Sequence, residues 1–524
     1  MAFALKNVLI SDEVDPKCVD ILQNNGISVV KNTKLTKEQL LQEIGKYDGL
    51  IVRSATKVTA EVIKAATNLK IIGRAGTGVD NIDCEAATKH GVIVMNTPGG
   101  NTLSAAEHTC TMLLCMSRQI ANGTASMREG KWDRKKFMGN EVFGKTLAII
   151  GLGRIGKEVA LRMQSFGMTT IGFDPIIPAE AAAEFDVEWM PIDQLWTRAD
   201  YVTVHTPLIP QTKNLLNDDV FNKCKKGMRV INCARGGIID EEALLRALNA
   251  GKCGGAALDV FLEEPPTNLE LVKHPLVTST PHLGASTVEA QSRVAEEIAQ
   301  QFVDLAEGTS LFGAINAHAL TNALSIETKP WIALGSSLGT LASTLTGGQF
   351  SNTTVQLVTS GDKLAKAGSY LGAAVLVGAL KSDSSNGLNL VSAPALAKQL
   401  GVKVQCEHTS GTEQVKLIVE QEGGKKTELT AVLSGEVPTL VSINGNALRQ
   451  GASLRGNLAV YNTKTNGLPN IIGNIVKGGS NVVAFSASDE GQSGYWGIIQ
   501  TDSVITNLDA VKELVSSVVQ LSIS

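Results

Sequence analysis

The run Thr146-Leu-Ala-Ile-Ile150 is an apolar strand that passes straight into Gly-Leu-Gly-Arg-Ile-Gly156 and then into a helical pattern. That order of strand, G-x-G-x-x-G and helix commits the region to a dinucleotide-binding βαβ unit. Gly151 permits the tight turn, Gly153 lets backbone approach a pyrophosphate, and Gly156 lets the helix that starts near Arg154 pack closely on the strand. The N-terminal amides of that helix face the anion. A second strand, Thr169-Thr-Ile-Gly-Phe-Asp174, ends on an acid about twenty residues further on, where a carboxylate accepts hydrogen bonds from the adenosine ribose. Asp174 is followed by Pro175, Ile176, Ile177 and Pro178, with no arginine to welcome a 2′-phosphate, so the expected cofactor is NAD and not NADP.

At 524 residues the chain exceeds one hydrophobic core and suggests three or four domains. Its formal charge is −4 and its 47 basic residues are dispersed, which argues against a nucleic-acid partner; the one dense cluster is Lys131, Arg134, Lys135 and Lys136. The eight cysteines form no CxxC pair and no disulfide rhythm, as expected for reduced thiols. The N-terminus lacks a cleavable signal pattern and no apolar run approaches the ~20 residues that span a bilayer, so a cytoplasmic protein without a membrane partner is expected. No metal site is expected.

Short β-rich runs at Val8–Ile10, Ile27–Val30, Gly49–Val52, Leu69–Ile72 and Gly91–Val94 alternate with helical patterns ahead of the fingerprint. Further runs at Tyr201–Val204, Met228–Asn232, Gly255–Asp259 and Leu276–Ser279 follow it. The fold class is therefore α/β, with two Rossmann-like doubly wound lobes. The helical stretch Thr102–Ser117 crosses from the first lobe to the second, and the helix from Thr287 to about Gly308 returns. Beyond Gly308–Gly313 the texture changes to more Gly, Ser, Thr and Asn, which marks a boundary near Ala319. The last segment parses as strand Asn457–Asn462, helix Leu468–Val476, strands Asn481–Ala487 and Gly494–Thr501, helix Leu508–Val519 and strand Leu521–Ser524, a βαββαβ unit. The expected domains are a discontinuous substrate lobe at 1–99 and 287–316, an NAD lobe at 100–286, an α+β intervening domain at 317–455 and a terminal unit at 456–524. A chain ending near Ala314 is expected to retain the chemistry.

Three segments of the second lobe carry charge where a strand should end: Asn232-Cys-Ala-Arg-Gly-Gly237, Leu258-Asp-Val-Phe-Leu-Glu-Glu264 and Thr280-Pro-His-Leu-Gly-Ala285. Ligands of open α/β sheets bind beyond the carboxyl ends of strands, which brings Arg235, Glu264 and His282 together. Oxidising a 2-hydroxy acid needs a guanidinium fork for the carboxylate and an imidazole base for the hydroxyl proton. Glu264 on the second ring nitrogen fixes the tautomer and stabilises the imidazolium. Alone, each reads as a surface arginine, a turn acid or a loop histidine; the conjunction with a cofactor fold gives them catalytic roles.

These segments, with Gly73-Arg-Ala-Gly-Thr-Gly-Val-Asp-Asn-Ile-Asp83 and the fingerprint, resemble the D-isomer-specific 2-hydroxyacid dehydrogenases, and the resemblance covers the whole chain. It implies catalytic roles for Arg235, Glu264 and His282, and cofactor contacts by Thr77, Arg154, Ile155, Asp174, Thr206, Cys233, Ala234, Arg235, Asp259, His282, Leu283, Gly284 and Ala285. It also implies an ACT-like terminal domain and self-association through the NAD lobe as a dimer or tetramer. The length and the terminal βαββαβ unit resemble the long type within that family, and this resemblance implies oxidation of 3-phospho-D-glycerate to 3-phosphohydroxypyruvate, the opening step of L-serine synthesis, with reduction of small 2-oxo acids such as 2-oxoglutarate besides. Arg53 and Arg74 end first-lobe strands and Arg134 lies in the basic cluster, a surplus of cations that fits a phosphorylated substrate. The rival readings are a dehydrogenase of glyoxylate, hydroxypyruvate or lactate, and an NAD-sensing corepressor, whose polar disordered tail this chain lacks. Serine-responsive bacterial relatives carry histidine and asparagine in the first strand and loop of the terminal domain; here Tyr461–Pro469 has no histidine, so weak or no inhibition by L-serine is expected. Cys233 adjoins the cofactor and reads as a packed small residue.

Overall fold

The computed structural model describes residues 4–348, 350–383, 388–464, 467–491 and 494–523. The chain divides into two compact units, residues 97–295 and residues 1–96 with 296–524.

Unit 97–295 is built on a parallel sheet of seven strands: β6 (Thr146–Ile150), β7 (Thr169–Phe173), β8 (Glu188–Trp189), β9 (Tyr201–Val204), β10 (Met228–Asn232), β11 (Cys253–Leu258) and β12 (Val277–Ser279). Five strands of the other unit precede these in the chain. They lie in the order β12-β11-β10-β9-β6-β7-β8, a doubly wound sheet that reverses direction beside β6. The near-continuous apolar strands are buried on both faces, by one core around Ala148, Val202, Val230 and Leu244 and another around Leu113, Ile149, Val159 and Ile231. The helix Thr102–Ser117 forms with the bounds its sequence pattern predicts.

The other unit opens with β1 (Asn7–Ile10), β2 (Ser28–Lys31), β3 (Gly49–Val52), β4 (Ile71–Arg74) and β5 (Ile93–Asn96), parallel in the order β2-β1-β3-β4-β5. β4 and β5 begin two residues later than the apolar runs suggest. Leu69 and Val92 are buried, but their amides close the preceding turns on Ala66 O (3.1 Å) and Ala87 O (2.8 Å) before pairing begins. Gly49 and Gly73 sit within strands because Phe302 of the helix Val288–Glu307 needs the room. A Cβ at Gly73 would lie 2.4 Å from its ring.

Next comes a six-stranded sheet, β13 (Thr354–Ser360), β14 (Lys403–Thr409), β15 (Gln414–Glu420), β16 (Lys426–Ser434), β17 (Val437–Ile443) and β18 (Asn446–Ser453), in the order β14-β13-β15-β16-β17-β18. The last four strands, β19 (Gly456–Thr463), β20 (Val482–Ala487), β21 (Tyr495–Thr501) and β22 (Ser517–Ile523), form an antiparallel sheet ordered β20-β21-β19-β22. With the helices Leu468–Lys477 and Leu508–Lys512 this gives a βαββαβ order. One expectation is corrected: the last helix ends at Lys512, not Val519. Val515, Val518 and Val519 prefer extended backbone, and β22 gains a full ladder on β19, starting from Ser517 opposite Asn462. Thr465 and Asn466 of the loop read for serine lie outside the described residues.

Candidate active site

The fingerprint loop takes up the conformation its glycines permit. Gly151 has φ +95°, and a Cβ there would meet His205 O at 2.6 Å; one on Gly156 would meet Gly151 O at 2.0 Å. Gly153, at the N-cap of the helix Arg154–Ser165, faces open space, a cradle that any side chain would fill. Asp174 sits beside this turn. Its Oδ2 accepts from Leu152 N (2.8 Å) and its Oδ1 from Ile176 N (2.8 Å) and Ile177 N (3.1 Å), so the carboxylate holds the loop. Thr206 Oγ1, beside Gly151 at the loop floor, is buried and without a hydrogen-bond partner among the described residues. Its neighbour His205 bonds Thr203 Oγ1 (3.0 Å), and burial pushes its pKa down to about 4, so that ring is neutral scaffolding. Ile155 packs against the core, while Arg154 Nη1 donates to Pro98 O (3.1 Å).

Asn232, the last residue of β10, fixes the next turn from both sides: its Oδ1 accepts from Ala234 N (3.0 Å) and its Nδ2 donates to Arg235 O (2.8 Å). Gly236 allows that turn to lie on Phe261, whose carbonyl would be 1.8 Å from a Cβ. The Arg235 guanidinium donates to Ala234 O (2.6 Å). Burial pushes the Cys233 thiol up to about 12, with Asp259 adding to the effect.

His282 and Glu264 meet as predicted, Nδ1 to Oε2 at 2.8 Å, with both side chains about half exposed. Glu264 Oε1 accepts from Phe261 N (3.3 Å), which orients the carboxylate, and His282 Nε2 remains on the side away from Glu264. His282 has φ +55°, a left-handed conformation that histidine rarely adopts without support. The support is Asp259. Its carbonyl accepts from His282 N (2.9 Å), and its carboxylate accepts from Leu283 N (2.7 Å), Gly284 N (2.8 Å) and Thr280 Oγ1 (2.6 Å). His108 Nε2 lies 3.1 Å from both Asp259 Oδ1 and Thr280 Oγ1. Burial alone would raise the fully enclosed Asp259 carboxyl, but the bonds from His108, Thr280 and Leu283 N outweigh it and hold the pKa below its ordinary value. Ala285 O accepts from Gln291 Nε2 (2.7 Å) and closes the loop.

Sequence reasoning missed His108 and Thr280. The available signal was a histidine within the helix Thr102–Ser117, which packs on β11 and β12.

The other predicted residues lie elsewhere. Arg134 is exposed between the helix Ile120–Arg128 and β6. Thr77, Arg53 and Arg74 belong to the second unit, where Thr77 O accepts from Asn96 Nδ2 (2.5 Å). Asp12 fixes the turn after β3 by accepting from Arg53 N (2.6 Å) and Thr56 N (3.1 Å). Arg53 Nε is buried without a hydrogen-bond partner among the described residues, and burial lowers the pKa of its guanidinium against the pull of Asp12. Arg74 donates to Arg53 O (3.3 Å) and to Gly78 O.

A doubly wound sheet whose switch point carries a glycine cradle, with a guanidinium and an imidazole–carboxylate pair at neighbouring strand ends, defines a dinucleotide-dependent oxidoreductase. Residues 110–284 match the D-isomer specific 2-hydroxyacid dehydrogenase NAD binding domain, and residues 327–444 the D-3-phosphoglycerate dehydrogenase intervening domain. The chain is 51% identical to D-3-phosphoglycerate dehydrogenase of Rattus norvegicus and 50% identical to that of Homo sapiens, over 99% of each chain. The apo-structure of D-lactate dehydrogenase from Escherichia coli superposes with a TM-score of 0.54 at 26% identity, covering 59% of this chain and all of that one. The chain belongs to the D-3-phosphoglycerate dehydrogenase family of D-isomer-specific 2-hydroxyacid dehydrogenases, and its cofactor is NAD.

Proposed function

We propose that the chain oxidises 3-phospho-D-glycerate to 3-phosphohydroxypyruvate with NAD, the entry to L-serine synthesis. Bound NAD supplies the hydride acceptor. The observation that carries the reading is the His282–Glu264 pair at 2.8 Å. With Nδ1–H held by a carboxylate, Nε2 is left as the base that takes the C2 hydroxyl proton as hydride leaves the same carbon. Glu264 stabilises the imidazolium that results, and in the reverse direction His282 returns the proton. Arg235 presents a guanidinium to the substrate carboxylate. Gly151, Gly153, Arg154, Ile155 and Gly156 receive the pyrophosphate, Asp174 the adenosine ribose, and Thr77, Thr206, Cys233, Ala234, Asp259 and the 282–285 loop the nicotinamide end.

The phosphate is assigned to Arg53 and Arg74, helped by Arg134 of a second subunit. The buried Nε of Arg53 has no hydrogen-bond partner among the described residues, a donor left for a ligand acceptor, which supports that role. Trp132, Met138 and Phe143 are more than 70% exposed on the NAD lobe, and this supports self-association through it. The intervening and ACT-like domains then serve assembly or regulation. A panel of 2-hydroxy acids assayed for NADH formation tests the reading: 3-phosphoglycerate should far exceed glycerate and lactate. His282→Ala should lower kcat by about 10²–10⁴-fold while NAD still binds. Equal turnover of the phosphorylated and non-phosphorylated acids, or an undiminished kcat, would overturn it.

A further inference from the structure

We propose that β14 pairs edge to edge with the β14 of a second copy of this chain, antiparallel, about a two-fold axis at Gln405. The sheet that holds it is closed at one side only. β18 carries register shifts against β17 and is bridged from Leu448 to Ser488, so that edge is interrupted and covered. β14 is the opposite edge. It is seven residues long, lacks proline, runs in unbroken register with β13, and every one of its residues is exposed. Such an edge is a template for another strand unless something blunts it.

The ladder fixes which atoms are offered. Lys403 N donates to Thr353 O (2.9 Å) and Glu407 O accepts from Thr359 Oγ1 (3.3 Å), so the odd-numbered residues turn their backbone toward β13. In a parallel ladder the alternate residues, Val404, Cys406 and His408, then point N–H and C=O outward. A symmetric antiparallel partner must match these with its own, which leaves a short menu of registers. If Cys406 meets the partner's Cys406, Lys403 faces the partner's Thr409. If Val404 meets the partner's Val404, Lys403 faces the partner's Gln405. If Cys406 meets the partner's His408, Glu407 faces the partner's Glu407, a like-charge pair. Only the register that sets Val404 against the partner's Cys406 places Lys403 opposite the partner's Glu407, and by symmetry it does so twice. Glu407 has one competing contact, from Gln356 Nε2 at 3.2 Å, on a carboxylate with room for more.

The other face of the strand agrees. Val404 and Cys406 border a groove of about 480 Å³ lined by Gly368, Gly372, Leu376 and Ala397. Cys406 Sγ touches the helix Gly368–Ala379 at Gly368 O (3.4 Å), and Val404 is 37% exposed. In the charge-matched register each Val404 gains the partner's Cys406 as its cross-strand neighbour, and two apolar grooves join into one. Charge pairing on one face and apolar pairing on the other select the same register.

The test uses the full chain. Gln405 faces its own counterpart across the axis as a non-hydrogen-bonded pair, whose Cβ atoms approach to about 4.5–5.5 Å, near enough for a disulfide with slight adjustment. In Gln405→Cys/Cys406→Ala, mild oxidation should give a covalent dimer joined through the introduced thiols, read on a non-reducing gel and by peptide mass. Sedimentation is the second arm. Lys403→Glu puts two acidic pairs across the axis and should halve the mass of the assembly, and Lys403→Glu/Glu407→Lys should restore it. Rates of NADH formation at saturating substrate show that the variants are folded. A disulfide to another cysteine of the same chain would mean that an internal segment covers the edge, and a mixed disulfide with a different protein would mean a foreign partner; either overturns the proposal. So does a Lys403→Glu chain that sediments like the wild type, or a double variant that stays dissociated.

Discussion

Asp259→Asn is the most informative single change, because it keeps the shape of a buried side chain and alters what its oxygens accept. Asp259 Oδ1 takes Thr280 Oγ1 (2.6 Å), Leu283 N (2.7 Å) and the contact from His108 (3.1 Å), while Oδ2 takes Gly284 N (2.8 Å). An asparagine that keeps its oxygen at the crowded position must turn its amide group on Gly284 N, donor against donor. Two buried donors then lack acceptors, at about 1–3 kcal/mol each, a loss of roughly 2–6 kcal/mol. The 282–285 loop relieves this by moving, and His282, already at φ +55°, moves with it. A displacement near ~1 Å at a catalytic group costs on the order of 10²-fold in rate, so kcat should fall by about that factor. Initial rates of NADH formation and calorimetry on the same preparation check both parts. An Asp259→Asn protein with wild-type kcat and an unchanged melting temperature would refute the argument that this carboxylate holds the catalytic loop. The sign with pH follows from the lowered pKa: the stabilisation by Asp259 is complete above the carboxyl's unfolded value, near 3.8, and is lost as pH falls through its lower folded value.

Asp174→Ala should narrow the preference for NAD over NADP, and because Leu152 N loses its acceptor, affinity for both should drop; an unchanged ratio of the two KM values would remove Asp174 from the ribose. With its thiol at about 12, Cys233 is only about one part in 10⁴ thiolate at pH about 8, so iodoacetamide should label it far more slowly than an exposed cysteine, and rapid labelling would contradict the burial. The sequence places a tolerated truncation near Ala314, but Ile315 N donates to Val94 O (2.8 Å), and Asn316 bonds Val94 N (2.8 Å), Val92 O (2.9 Å) and Thr88 Oγ1 (2.9 Å). Ending the chain at Ala314 strips these four bonds, two from the edge strand β5 and two from the helix and turn that lead into it, at about 0.5–1.5 kcal/mol each, whereas ending at Ala323 keeps them. The shorter protein should melt well below the longer one, and equal melting temperatures would show that Asn316 is dispensable.

The sequence by itself determined both parallel sheets and the cofactor turn, and it set Arg235, Glu264 and His282 just past the ends of neighbouring strands. Those features are written in local codes: apolar strands buried on both faces, glycines where backbone must turn or approach, and charged residues just past strand ends. It also determined the pairing of Glu264 with His282, because an imidazole base needs a carboxylate on its second nitrogen. What it left undetermined depends on partners distant along the chain. The residues 513–519 carry a helical apolar spacing, and only the ladder offered by β19 turned part of them into β22. His108 looks like one more polar residue of its helix until the fold sets it against Asp259, 151 positions later, and the left-handed turn at His282 is unreadable without that carboxylate. Asn316 reads as ordinary linker and proves to cap β5. In each case the deciding interaction is a hydrogen bond to a buried group far off in sequence, and burial is what makes it decisive: in a site without water an unmatched donor or acceptor is costly, so the chain adopts the conformation that matches it.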